Sequence, residues 1–199
     1  MPIKKQILNH LEKNNIKYEV LNHRKVYTAF DASQTLKVHP QEIAKSLIIK
    51  IKKDFYMVIL GANKNIDFKK IAQKYKLAKK NIQIPSEKIL SNKFKIKPGS
   101  AHVFGSLYKI PTIIDKSFTN LTSAVFSSGS FTESFRIKLK DYLKIEECEI
   151  FSFGKVKKLK INKIKPKKKV TKNKTKKTKK PKNKGNKKPR KQKNKKINK

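Results

Sequence analysis

An α+β domain around one central mixed β-sheet, with helices packed on it, is the fold class this sequence predicts. Three observations lead there. Apolar runs of strand length, SLIIKIK at 46–52 and FYMVILG at 55–61 among them, are short and rich in β-branched or aromatic residues. Segments of helical spacing lie between such runs without strict alternation, which argues against a doubly wound fold. The composition then shifts near residue 155, so the pattern able to form a core is confined to residues 1–154.

The elements follow in order. Ile3, Ile7, Leu8 and Leu11 recur at helical spacing and predict a first helix over 3–14. YEVLNH at 18–23 reads as a short strand. Thr28 is placed to cap a second helix over 28–36, with Asp31 three residues on in the capping-box position. Pro40-Gln41-Glu42 reads as a helix start, because proline suits the first turn. The two apolar runs, parted by Lys53-Asp54, predict a hairpin. Residues 67–75 predict a third helix with Phe68, Ile71 and Ala72 inward, and 85–90 a short fourth. An irregular stretch over 91–109 precedes strands near 110–115, 123–128, 134–139 and 148–153.

Charge is the second theme. Lys and Arg number 53 against 13 Asp and Glu, a formal charge of +40. Residues 155–199 hold 25 of those basic groups and no acid, leaving 28 basic and 13 acidic groups in residues 1–154. Such a field draws in polyanions and speeds their association, so nucleic acid is the expected partner. The segment 155–199 cannot bury enough apolar surface to offset its ordering entropy, and its like charges repel. It is expected to be a disordered polybasic tail that neutralises phosphates whatever their sequence. No membrane attachment is expected: no run approaches the ~20 apolar residues of a span, and no apolar anchor accompanies the lysines. The single cysteine, Cys148, leaves no internal disulfide or cysteine-cluster zinc site, and reads as a core thiol in a reducing, cytoplasmic setting.

Four islands join apolar runs to polar groups: EIAKSLIIK at 42–50, PGSAHVFG at 98–105, IIDKS at 113–117 and SSGS at 127–130. A sheet presents chemistry at one mouth in this way. Lys45 stands at the entry to a strand, where an ammonium is either solvated or able to grip a phosphate or polarised carbonyl. Gly99 and Gly105 flank a short loop, with Ser100 and His102 between them, that lets backbone approach a ligand. Asp115 ends an apolar strand and could orient Lys45 or Lys116 or bind a substrate amino group. Ser128, Gly129 and Ser130 end an apolar strand and, by themselves, read as a plain hairpin turn. Thr28 reads most simply as a helix cap, with His23 five residues before it. The histidines His10, His23, His39 and His102 show no metal-ligand spacing.

The four islands, in their order and spacing, resemble the YbaK/prolyl-tRNA synthetase editing-domain family, over roughly residues 2–153. The resemblance implies a deacylase that hydrolyses the ester of mischarged tRNA, with no metal or organic cofactor. Lys45 then holds the aminoacylated tRNA end as the catalytic lysine. Gly99, Ser100, His102, Gly105, Asp115, Ser128, Gly129, Ser130, His23 and Thr28 line or border the substrate pocket. Water attacks with help from the neighbouring ribose hydroxyl, so the protein supplies positioning and electrostatics. Mischarged tRNA is the implied partner, with an aminoacyl-tRNA synthetase as a second. One departure stands out: where the family has proline two residues before the second glycine, this chain has Val103. The rival expectation is therefore a catalytically altered tRNA- or rRNA-binding module on the same fold.

Overall fold

The computed structural model describes residues 3–97 and 99–157. Its centre is the expected hairpin of β2 (Ala44–Ile51) and β3 (Asp54–Gly61). The turn falls on Lys52-Lys53, one residue earlier than the sequence suggested, since Ile51 pairs with Asp54 and Lys52 takes φ +54°. β5 (Ile82–Gln83) joins β2 antiparallel, β6 (Thr112–Asp115) joins β3 parallel, and β9 (Cys148–Phe151) joins β6 parallel. The result is a mixed five-stranded sheet of order β5-β2-β3-β6-β9.

Period-two alternation makes this sheet the middle of the domain. Met57 and Ile59 of β3 point into one apolar cluster, and Val58 and Leu60 into another. The first cluster is closed by Ile7 and Leu11 of α1 (Ile3–Lys13), Phe94 of α4 (Glu87–Phe94), and Leu139 and Tyr142 of α5 (Leu139–Ile145). The second is closed by Ile71 and Ala72 of α3 (Phe68–Lys74). A strand covered on both faces needs apolar residues at every position, which is why β3 reads as the continuous run Met57-Val58-Ile59-Leu60. Truncating fully buried Leu60 to alanine is expected to cost about 2–5 kcal/mol.

A second sheet, β1 (Tyr18–Asn22), β8 (Glu133–Lys138) and β7 (Ser123–Ser127), is antiparallel in the order β1-β8-β7. A parallel bridge between Ile43 and Val125 ties it to the central hairpin. α2 (Ala29–Leu36) lies by this junction, where Ala32, Ile43, Ala62 and Val125 form a small third cluster. Thr28 caps that helix as expected: its Oγ1 accepts from the Asp31 amide at 3.1 Å and donates to Asp31 Oδ2 at 2.7 Å.

The structure adds elements the sequence did not announce. β4 (Lys64–Ile66) pairs antiparallel with β10 (Gly154–Val156), and both are too short for alternation to show. α5 occupies a stretch left unassigned between two strands. α4 runs to Phe94, past the expected end of the fourth helix at residue 90. The domain boundary drawn at residue 154 cuts β10, so the folded chain extends through Lys157; the expected tail lies, from residue 158 on, outside the described residues. None of the helices among the described residues is long and apolar enough to cross a membrane.

Candidate active site

Where the two sheets meet, the chain leaves a cavity of about 440 Å³. Its floor is apolar, made by Ala32, Ile43, Ala44, Ile48, Val125 and Phe126. Its polar wall carries Lys45, Ser46, His23, Ser130 and Ser134. Tyr27 and Phe30 stand exposed at its rim, with 58% and 40% of their surface accessible. An aromatic at that exposure is a surface available for contact rather than core.

Lys45 enters from the first residues of β2, half-buried. Its ammonium donates to the Lys64 carbonyl at 3.1 Å and to Asn65 Oδ1 at 3.2 Å, so β4 is its perch. Burial, and then the charge of Lys157, push its pKa below the ordinary lysine range. Both of these acceptors are neutral, and among the described residues no carboxylate lies within 4 Å of its nitrogen.

Asp115 fixes that perch. It is almost fully buried at the end of β6. Oδ1 accepts from Lys64 Nζ at 3.1 Å, from the Ser117 amide at 3.3 Å and from the Ser117 hydroxyl. Oδ2 accepts from the amides of Phe153 at 2.9 Å and Gly154 at 2.6 Å. Burial alone would raise the carboxyl pKa, but the bonds from Ser117, Gly154, Phe153 and Lys64 outweigh it and hold it below the usual range. The cation Asp115 binds is therefore Lys64, and neither Lys45 nor the exposed Lys116. Gly154 sits so close that an added Cβ would stand 2.6 Å from Lys64 Cδ and 3.0 Å from Asp115 Oδ2.

His23 and Ser134, 111 residues apart, meet at the cavity wall: Nε2 and the Ser134 hydroxyl are 3.0 Å apart. The Arg24 carbonyl lies 2.9 Å from Nδ1. A carbonyl only accepts, so Nδ1 carries a proton, and in the neutral ring Nε2 then accepts from the Ser134 hydroxyl. Gly99, at φ +80°, packs against the rim, where a Cβ would come within 2.5 Å of the Tyr27 carbonyl.

Lys45, Gly99, His23, Thr28 and Ser130 thus share one cavity, whereas Ser100, His102, Gly105, Asp115, Ser128 and Gly129 are not among its lining residues. His102 is buried, stacked on Tyr108 at 4.0 Å, and burial, then His10, hold its pKa at about 3. Gly105 is packed where a Cβ would collide with Thr112 Oγ1 and the Ile110 carbonyl. Val103 lies wholly in the core, and its carbonyl accepts the Tyr142 hydroxyl at 2.8 Å. Ser100 Oγ donates to the Lys97 carbonyl, and Ser128 Oγ to that of Glu133. Gly129, at φ +81°, carries the turn between β7 and β8. Cys148 is half-buried beside the first cluster, and burial, with Glu146, pushes its thiol to about 12.

The profile of the aminoacyl-tRNA editing domain family matches residues 23–145, well over half the chain. The chain belongs to this family. The fold agrees. A solved structure described as a candidate trans-editing enzyme for prolyl-tRNA synthetase superposes with a TM-score of 0.67 at 16% identity, over 78% of this chain and 98% of that one. A scaffold protein used for epitope backbone grafting gives 0.67 at 17%, over 78% and 98%. A candidate signal transduction protein from Marinobacter aquaeolei gives 0.58 at 12%, over 77% of this chain and 31% of that one. At these identities the likeness is one of fold. No curated protein matches in sequence.

Within this editing domain, sequence reasoning missed Lys64, Asn65, Ser134, Gly154 and Lys157. Lys64, Asn65 and Gly154 belong to the small β4–β10 pair, and Lys157 follows it directly. The one available signal was Gly154, a glycine closing an aromatic strand run, Phe151-Ser152-Phe153.

Proposed function

We propose that the domain hydrolyses the aminoacyl ester of mischarged tRNA in trans. The observation that carries this reading is Lys45, held on β4 by neutral acceptors at the wall of an apolar cavity. An ammonium with three donors, two of them used on the protein, keeps one for a phosphate or ester oxygen. The apolar floor suits a small uncharged side chain, whose size the volume of about 440 Å³ must accommodate together with part of the terminal nucleotide. Lys45 holds the tRNA end and stabilises charge that builds on the reacting oxygen. His23, with its tautomer fixed, presents an acceptor nitrogen to the same space. It can orient the ribose hydroxyl or the attacking water when Ser134 yields its bond. The Asp115–Lys64 pair positions Lys45 without touching substrate.

The basic surplus of the chain supports tRNA as the partner, and residues 158–199 would add sequence-independent phosphate binding that falls steeply with salt. A synthetase that delivers the mischarged tRNA is a second partner on this reading, and the setting is the cytoplasm. The competing reading is a domain that binds tRNA without cleaving it; the Val103 departure prompted it. That residue's place in the core, away from the cavity, favours the enzyme.

The test is loss of the ester from a panel of mischarged tRNAs, with wild type and Lys45→Ala side by side. Rapid release from at least one, lost in the variant, is expected. No release from any of them, with salt-sensitive tRNA binding intact, would leave the binding module.

A further inference from the structure

The stretch matched to the editing family ends at residue 145, and β9 and β10 follow it. β10 runs antiparallel to β4, with Val156 opposite Lys64 and Lys155 opposite Asn65. The Lys157 amide continues the ladder, donating to the Asn63 carbonyl at 3.0 Å. This sets Lys157 next to the residue whose carbonyl receives the Lys45 ammonium. Lys157 lines the same cavity as Lys45, and its Nζ stands 5.8 Å from the centre of the Phe30 ring at the rim.

Charge pairing separates the three lysines of this corner. Lys64 is neutralised by Asp115 at 3.1 Å. Among the described residues, Lys45 and Lys157 have no carboxylate within 4 Å. Two like charges that face one partly closed cavity raise each other's cost unless an anion enters between them. The field of Lys157 is already felt at Lys45, where it adds to burial in lowering the pKa.

We propose that Lys157 is a second phosphate-binding lysine of this cavity, acting with Lys45 to clamp a phosphate of the tRNA acceptor end. The identity of the ligand rests on the deacylase reading above. Its chemistry follows from the substrate. An aminoacyl-tRNA end offers anionic phosphates and a cationic amino group, and a lysine pair attracts the first and repels the second. The clamp therefore fixes which way round the substrate enters: nucleotide at the β4–β10 corner, amino acid toward the apolar floor. The bland role for Lys157 is to lay its stem over Phe30, and methionine in its place would preserve that cover.

The experiment titrates the full chain with 5′-AMP and, separately, with adenosine, following the backbone amide resonances of Lys45 and Ser46 by NMR. Site-specific resonances exclude phosphate bound elsewhere on the basic chain. Wild type should bind 5′-AMP about tenfold more tightly than adenosine, the size expected for a charge-assisted contact. Lys157→Met should lose most of that preference and Lys157→Arg should keep it. Lys155→Met, which removes the same charge two residues away, should also keep it. A wild type without the preference, or Lys157→Met that retains it, overturns the proposal, whatever the deacylation assay shows. If Lys157→Met loses the preference while no mischarged tRNA is hydrolysed, the clamp stands and the deacylase reading falls.

Discussion

The Asp115 carboxylate grips the Lys64 ammonium at 3.1 Å, from a position almost wholly shut off from solvent. Lys64 then offers its own carbonyl to Lys45. A buried acid thus acts on the cavity through the backbone of a neighbouring strand. Removing one partner of such a buried pair leaves the other charge uncompensated, at about 3–5 kcal/mol. Asp115→Ala should lower the unfolding free energy from urea denaturation by about that amount and slow ester release even where the protein remains folded. Lys64→Met, which keeps the carbonyl that Lys45 uses, should cost less activity for a comparable loss of stability.

Lys45 itself should behave in the opposite way. Its two bonds run from a charged ammonium to neutral acceptors, each worth about 1.5–3 kcal/mol, but removing the half-buried charge also relieves its desolvation, which offsets much of that loss. Lys45→Met should therefore melt within a few degrees of wild type while ester release is abolished. Thermal unfolding and a deacylation time course on the same preparation check both halves.

Gly99 and Gly129 provide a matched pair, with φ +80° and +81°. Alanine at either position carries a strain of roughly 1–3 kcal/mol. Only at Gly99 does the new Cβ strike the Tyr27 carbonyl, at 2.5 Å. Gly99→Ala should destabilise and also raise the KM for aminoacyl-tRNA by displacing the rim. Gly129→Ala should destabilise with KM unchanged.

Acid stability should report on His102. Its folded pKa of about 3 lies below the ordinary value of 6.5, because burial, and then His10, disfavour the charged ring. Between those values the unfolded chain binds the extra proton, so stability falls as pH drops from 6.5 toward 3, by an amount on the order of a few kcal/mol. Above pH 6.5 this group contributes no slope. His102→Gln should flatten the pH dependence of the urea midpoint across that window; an unchanged slope would show that the ring is not the group responsible.

Much of this was legible in the chain because local signals were strong. The β2–β3 hairpin shows in its apolar runs, Thr28 in its spacing to Asp31, and Lys45 in its place at the mouth of a buried strand. The rest depended on contacts that local patterns do not encode. Asp115 finds Lys64 51 residues away, and His23 finds Ser134 across two sheet strands. The island 98–105 reads as a mouth loop by its glycines, yet Val103 and Phe104 are apolar enough to take its second half into the core. β4 and β10 are strands because they pair with each other, at three residues each.

Gly154 and Phe153, whose amides donate to the Asp115 carboxylate, are among the last of the described residues to leave the ribosome. Lys45 and Lys64 emerge long before them, without the amides that complete the pocket around the acid. The growing chain therefore carries its lysines early but acquires the finished perch late. On the proposed deacylase reading, a copy that still lacks β10 should not yet hydrolyse aminoacyl-tRNA.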